Sequence, residues 1–425
     1  MAPVWVCRWG LCGYARLFSL AHANTPDCFY AMAFRAMWFE QLGSTLSHLH
    51  DEHMAEALQL AKRGTGHVSP NPRVGCVVVN NDQVVGRGWH QQYGSAHAEV
   101  NALNDAGEHA KGSTVYVTLE PCAHHGKTPP CADALIHASV DTVVVAAHDT
   151  NPEATGGVQV LQKAGIRVVT GIRELEARTQ NRMFFHHIEH KRPWVIGKTA
   201  TSLDGRIATR SGHSQWITGP DARRRSHDLR QAVDAIVVGA ETLRKDNPAL
   251  TVRDRWDAEL SNVEPAHPHR IVVSGTGALP IDSQALNGSL PGKTIVVTTE
   301  KMPASTENQL INAGNEVLRL PSDQSGQIGI NTLLDALAPN YQSLMVEGGS
   351  KLLGAFVDAN VIDEVWAFIA PTWIGGASAP ASIGGLGAEF LNQSLSLRDV
   401  QVESLAPDLL VRGLVDRRAT NDKNG

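Results

Sequence analysis

Residues 115–147 read VYVTLEPCAHHGKTPPCADALIHASVDTVVVAA, and the parsing of this stretch decides the fold. Val115 to Leu119 is a short run of β-branched, aromatic and apolar residues, the signature of a buried strand. Pro129-Pro130 suits a helix start, and Ala132 to Ala138 follows as a helix. Thr142 to Ala147 is a second strand of the same buried kind. Strand, helix and strand in direct succession imply a layered α/β domain.

The pattern continues outwards in both directions. Upstream, Ala98 to Ala106 reads as a helix, Val74 to Val79 as a buried strand, and Val84-Val85-Gly86 as its hairpin partner. In DEHMAEALQLAKRG (51–64), Met54, Ala57, Leu58 and Ala61 recur at helical spacing, and Gly64 can close that helix. Downstream, Val158 to Ala164 and Ile166 to Val169 add one more helix and strand. Arg173 to Lys191 reads as one polar helix ending at Arg192-Pro193. Proline stops a helix there, so a domain boundary is expected. A second α/β series follows. Its strands are Trp194 to Lys198, Ala235 to Gly239, Arg270 to Ser274, Thr294 to Thr298, Leu344 to Val346 and Glu364 to Pro371. Its helices are Pro220 to Gln231, Ile330 to Ala338 and Lys351 to Asp358.

The chain of 425 residues is thereby divided into an unassigned leader (1–49), a first domain with its connecting helix (50–192), a second domain (193–416) and a polar tail (417–425). The leader holds Cys7, Cys12, Cys28 and little periodicity, so poor order is expected, as it is for the tail. Its apolar run Leu17 to Leu20 is too short for a signal peptide, and Met37 and Met54 are plausible alternative starts. The formal net charge of −6 argues against a strongly basic, polyanion-wrapping protein. No apolar stretch reaches the about 18 residues a transmembrane helix requires. Six cysteines are too few for a disulfide scaffold, and a cytoplasmic location is expected.

The sharpest chemical signal is His97-Ala98-Glu99 followed by Pro121-Cys122 and Cys131. One imidazole and two thiolates make a three-ligand zinc site with a fourth position left for water. Zinc lowers the pKa of such a water towards ~7. Glu99 opens a helix two residues after His97, placed to carry protons without ligating the metal. This order of residues is the signature of zinc nucleobase deaminases. Here eight residues separate the two cysteines where the short form has two, so the insert must loop out for them to converge. Cys76, in mid-strand, reads as a small buried hydrophobe. Asn71 and His90 flank the presumed site and could bond a heterocycle's edge. Lys127, in the insert, could meet an anion such as a phosphate.

The second half carries weaker signals. No G-x-G-x-x-G follows its first strand, so a Rossmann site is not supported. Gly348-Gly349-Ser350 lies between a strand and a helix, where exposed amides can hold a cofactor phosphate. Leu203-Asp204-Gly205-Arg206 reads as a loop, and nothing in the sequence singles out Asp204 as a proton donor. Trp216 is more often a core residue than a stacking one. Arg223, Arg224, Arg225 and Arg230 form a basic helix face, from which a phosphorylated substrate would need one or two cations.

At this point the sequence resembles a known family. TGHVSPNPRVGCVVV (65–79), HAEVNAL (97–103), YVTLEPCAHHGKTPPC (116–131) and HDTNPEATGGVQVLQKAGI (148–166) look like the deaminase half of the bifunctional riboflavin biosynthesis deaminase/reductases. The stretches 198–230, 234–253, VEGGSKLLGAF (346–356) and DEVWAFIAPTWIGG (363–376) look like the reductase half. The long insert between the cysteines is itself characteristic of that family. The resemblance implies a cytidine-deaminase-like three-layer domain followed by a dihydrofolate-reductase-like domain. It implies zinc on His97, Cys122 and Cys131, with Glu99 as proton shuttle. The reaction would remove the 2-amino group of 2,5-diamino-6-ribosylamino-4(3H)-pyrimidinone 5′-phosphate by hydrolysis. NADPH would then reduce the ribosyl chain to ribityl. The cofactor contacts it implies are Ala200, Trp216, Thr242, Asp246 and the loop Gly349, Ser350, Lys351 and Leu352. The substrate contacts are Ser214, Arg230, Leu250, Arg253 and Glu347. Pairing of the reductase half with a second copy is also implied.

Two other classes stay open on the residues alone. One is a nucleoside or nucleic-acid deaminase with an appended binding domain, against which the insert and the negative charge count. The other is a non-catalytic zinc-stabilised binding protein, against which the count of three ligands plus a proton-carrying acid speaks.

Overall fold

The computed structural model describes residues 49–417. The readings of the leader and the tail, including the alternative start Met37, therefore lie almost wholly outside the described residues.

The first sheet has five strands: β1 (Gly75–Asn80), β2 (Gln83–Trp89), β3 (Thr114–Leu119), β4 (Thr142–Ala147) and β5 (Arg167–Thr170), in the order β2-β1-β3-β4-β5. β1 pairs antiparallel with β2 and β3, and β3-β4-β5 are parallel. Side chains alternate between two buried faces. Cys76, Val78, Val115, Val117, Val143 and Val145 meet α2 (Ala98–Ala106), α3 (Cys131–His137) and α4 (Gly157–Lys163). Val77, Val79, Tyr116 and Val144 meet Met54, Ala57 and Leu58 of α1 (residues 49–62), together with Ala177, Phe184 and Phe185. Burial on both faces is why these strands read as unbroken apolar runs.

The expected polar helix 173–191 is instead two helices, α5 (Glu174–Gln180) and α6 (Arg182–His190), with Asn181 at φ −105°, ψ 22° between them. The Asn181 amide clamps the backbone of Arg73, donating to its carbonyl and accepting from its N–H, both at 2.8 Å. The helices are also not simply polar, since Ala177, Phe184 and Phe185 are buried.

The second sheet has nine strands in the order β10-β9-β8-β7-β11-β6-β12-β14-β13. They are β6 (Trp194–Ser202), β7 (Ala235–Gly239), β8 (His269–Val273), β9 (Thr294–Thr298), β10 (Glu316–Arg319), β11 (Ser343–Glu347), β12 (Glu364–Ala370), β13 (Leu397–Leu405) and β14 (Asp408–Val415). All are parallel from β10 to β12, and β14 and β13 close the edge antiparallel. Helices α7 (Pro220–Ala232) and α10 (Ala304–Asn312) cover one face. Helices α11 (Ile330–Leu337) and α12 (Ser350–Asp358) cover the other. Two short helices, α8 (Ala240–Asp246) and α9 (Ala258–Ser261), follow β7 and the loop beyond it. The sequence reading lacks α8, α9, α10, β10, β13 and β14. Among the described residues no helix is long and apolar enough to cross a membrane.

Candidate active site

His97 caps the start of α2, Cys122 lies in the loop after β3, and Cys131 opens α3. His97 Nδ1 is 3.3 Å from the Cys131 Sγ and 3.7 Å from the Cys122 Sγ. All three donor atoms lie within 4.8 Å of one another. A tetrahedral zinc with Zn–N about 2.1 Å and Zn–S about 2.3 Å would set neighbouring N and S donors about 3.6 Å apart. The donor set therefore fits zinc in both chemistry and spacing.

Two backbone bonds bring the cysteines together across the insert. The Cys131 N–H donates to the Cys122 Sγ at 3.4 Å, and the Ala132 N–H donates to the Cys122 carbonyl at 3.2 Å. Residues 123–130 are thus looped out from a closed base. The hydrogen bond between the thiols pulls Cys122 well below the usual thiol range and pushes Cys131 up. One thiolate is favoured before any metal binds.

Glu99 stands in the first turn of α2 and is buried. Burial pushes its carboxyl up to about 7, against the pull of His97, and it hydrogen-bonds with the Cys131 thiol. An acid with a proton affinity near neutrality can both take and give a proton.

Asn71 and His90 touch. Nδ2 of Asn71 is 3.1 Å from Nε2 of His90, whose Nδ1 is 3.1 Å from the Ala96 carbonyl. The carbonyl can only accept, so Nδ1 carries the proton and Nε2 accepts from Asn71. Burial lowers the His90 pKa, in keeping with that neutral ring. The His90 ring lies edge-on to His97, centroids 5.1 Å apart. Lys127 is exposed, with its Nζ 3.9 Å over the Tyr93 ring.

The sequence reading misses the support behind Cys122. Glu120 is buried and accepts from the N–H groups of Gly156 (3.0 Å), Val158 (3.1 Å) and Asp149 (3.3 Å). It binds loop 148–158 to the residue before Pro121-Cys122. Gly157 is required there, because a Cβ would lie 1.8 Å from the Pro121 carbonyl oxygen. Asp149 is also buried, which raises its pKa to about 6. The local signal was the Glu directly before Pro-Cys, but its five partners all lie 28 to 38 positions downstream.

In the second half, β6, β7 and β11 run parallel, and their carboxyl ends carry the polar groups. Lys198 and Glu347 are register partners, so Lys198 Nζ meets Glu347 Oε1 at 2.8 Å. Arg230 closes on the same carboxylate and donates to the Thr251 carbonyl. These cations hold the buried Glu347 well below the usual carboxylate range, against its desolvation. Lys198 is the second residue missed from sequence. Ala200 follows it in β6, half-buried.

Gly348 and Gly349 have φ of +91° and +75°, and a Cβ on Gly349 would sit 3.3 Å from the Thr242 Oγ1. Ser350, Lys351 and Leu352 open α12 behind them. A glycine cradle at the start of a nine-residue helix suits a cofactor phosphate. The Ser214 hydroxyl donates to Asp246 at 3.0 Å. Trp216 is no core residue: it is 68% exposed, and Arg223 stacks on its ring. The Leu250 side chain is buried, with its backbone at φ +53°.

The expected basic face of α7 is not free. Arg224 pairs with Asp221, Arg225 with Asp228 and Glu403, and Arg230 with Glu347. Arg253 bonds the Thr251 hydroxyl at 3.1 Å and forms no ion pair among the described residues. Asp204 accepts from the Ser202 hydroxyl and from the amides of Ile374 and Gly375. These bonds bring it down to about 2, so it is ionised and has no proton to donate.

Comparison with known proteins agrees with this two-part architecture. Residues 47–147 match the cytidine and deoxycytidylate deaminase zinc-binding region, and residues 193–411 match the RibD C-terminal domain. The riboflavin biosynthesis protein RibD of Synechocystis is 38% identical over 88% of this chain and 97% of that protein. The solved structure of Acinetobacter baumannii RibD (form 1) superposes with a TM-score of 0.77, at 38% identity, covering 87% of this chain and 100% of that one. A diaminohydroxyphosphoribosylaminopyrimidine deaminase/5-amino-6-(5-phosphoribosylamino)uracil reductase from Thermotoga maritima gives 0.74, at 32% identity, covering 87% and 99%. With a zinc-type donor cluster in one half, a glycine cradle in the other, and likeness along nearly the full length of these proteins, the chain belongs to the RibD family of bifunctional riboflavin biosynthesis deaminase/reductases.

Proposed function

We propose that the first half deaminates 2,5-diamino-6-ribosylamino-4(3H)-pyrimidinone 5′-phosphate and that the second reduces the ribosyl group of the product with NADPH. The observation that carries this reading is the convergence of His97, Cys122 and Cys131 beside the buried Glu99. Zinc held by those three residues would supply Lewis acidity towards a water at neutral pH. Glu99 takes the proton from that water and delivers it to the leaving amino nitrogen. Asn71 and His90 hold the edge of the heterocycle, and Lys127 meets the phosphate.

In the second half, NADPH supplies a hydride when bound. Thr242, Gly349, Ser350, Lys351 and Leu352 hold its phosphates, while Ala200, Trp216 and Asp246 hold the rest. Ser214, Arg230, Leu250, Arg253 and Glu347 receive the substrate, Arg253 offering its guanidinium to the phosphate. Hydride transfer to C1′ needs positioning more than side-chain chemistry, so no protein nucleophile is assigned. A cytoplasmic location, a small phosphorylated pyrimidine rather than nucleic acid as partner, and self-association through the reductase half belong to the same reading.

An ammonia-release assay tests the substrate class. The phosphorylated diaminopyrimidine should be deaminated, and cytidine and RNA should not. Release from cytidine or RNA at a comparable rate would favour the nucleoside or nucleic-acid deaminase instead.

A further inference from the structure

The turn that carries Asn71 is held from two directions. On one side Asn71 donates to His90, beside the zinc ligand His97. On the other it is held by residues of the reductase half. Gln342 Nε2 donates to the Pro70 carbonyl at 2.8 Å, and Gln231 Nε2 to the Thr65 carbonyl at 3.3 Å. His67 Nε2 is 2.9 Å from the Glu264 carbonyl, and Arg63 pairs with Glu259 at 2.9 Å.

Beyond the buried Val68, the turn has little packing of its own. Ser69, Pro70 and Gly66 are exposed, and within 68–71 the chain makes one backbone bond, from the Asn71 N–H to the Val68 carbonyl. The anchor, by contrast, is fixed. Gln342 immediately precedes β11, its N–H donates to Asp234 Oδ2 at 2.7 Å, and its carbonyl accepts from the Trp194 N–H at 2.8 Å. Gln342 is buried. An exposed turn with few bonds of its own, tied to a buried strand end, takes its position from the tie.

We infer that Gln342 of the reductase half is a positioning residue for the deaminase reaction. Through the Pro70 carbonyl it fixes Asn71 against His90, so the second domain completes the substrate site of the first. The inference rests on the reading of Asn71 as a substrate contact.

The test uses the full-length, zinc-loaded chain with three variants: Gln342→Met, which keeps length and bulk but removes the donor, Asn71→Ala, and the double variant. Ammonia release from the phosphorylated diaminopyrimidine is followed for KM and kcat, alongside zinc content, melting temperature and reduction of the deaminated intermediate. Gln342→Met should raise the deaminase KM about fivefold or more, with kcat within twofold and zinc and reductase kinetics unchanged. The double variant should be no worse than Asn71→Ala. A general loss of folding would lower both activities in proportion and leave KM alone, which would overturn the inference. If Asn71→Ala raises KM and Gln342→Met does not, the inference fails while the reading of Asn71 stands. If Asn71→Ala leaves KM unchanged, both fail.

Discussion

Arg230 grips Glu347 with two nitrogens, Nε to Oε2 at 3.0 Å and Nη2 to Oε1 at 2.9 Å. The pair is largely enclosed, and Lys198 shares Oε1. Removing one partner of a buried pair typically costs about 3–5 kcal/mol when the other charge is left uncompensated; with Lys198 still on Oε1, the loss here should lie at the low end, about 3 kcal/mol or less. Arg230→Met should therefore lower stability by that order near neutral pH and depress reductase activity, while ammonia release persists. Glu347 has its folded pKa lowered, so its contribution is present above the ordinary glutamate pKa of about 4.3 and is lost as pH falls below it. The stability gap between wild type and Arg230→Met should narrow below about pH 4. A gap constant across that range, in denaturant titrations at several pH values, would contradict the assignment.

Glu99→Gln should retain zinc, since Glu99 is not among the clustered donor atoms. It should lose ammonia release by roughly 10²-fold or more, as expected for removal of a general acid–base. Cys122→Ser and Cys131→Ser should instead lose the metal. Metal analysis beside the activity assay separates the two cases, and an active Glu99→Gln would contradict the proton-shuttle role.

Gly349→Ala places a Cβ at φ +75° and against Thr242. The strain is of order 1–3 kcal/mol for a non-glycine residue in such a region. The KM for NADPH should rise about tenfold, with deaminase kinetics untouched. An unchanged NADPH KM would remove this loop from the cofactor site.

Asp204→Asn should leave the shape of the reductase pH–rate profile intact. Three donors already hold Asp204 ionised, so it loses a loop anchor and no proton donor. Disappearance of a limb of the profile would contradict this.

What was legible in the sequence was what is local. His97, Glu99, Cys122 and Cys131 lie within 35 positions, on a strand–loop–helix frame whose doubly buried strands announce themselves. The edge strand β13 did not, because most of its residues are exposed and its alternation is short, Val400 and Val402 alone. The break at Asn181 depends on bonds to Arg73, 108 positions away, which helical spacing does not register. Lys198 and Glu347 meet only because β6 and β11 are neighbours, 149 positions apart in the chain. The arginines of α7 read as a free basic face for the same reason, since two of their partners, Glu347 and Glu403, come from distant strands.

One chain should perform two consecutive steps. The most direct test supplies the diaminopyrimidine ribosyl phosphate to the full-length, zinc-loaded protein with and without NADPH and identifies the products by mass. Without NADPH the deaminated ribosyl compound should accumulate alone. With NADPH the ribityl compound should form, one NADPH consumed for each. Deaminated product that never consumes NADPH, or a starting compound that releases no ammonia, would contradict the claim.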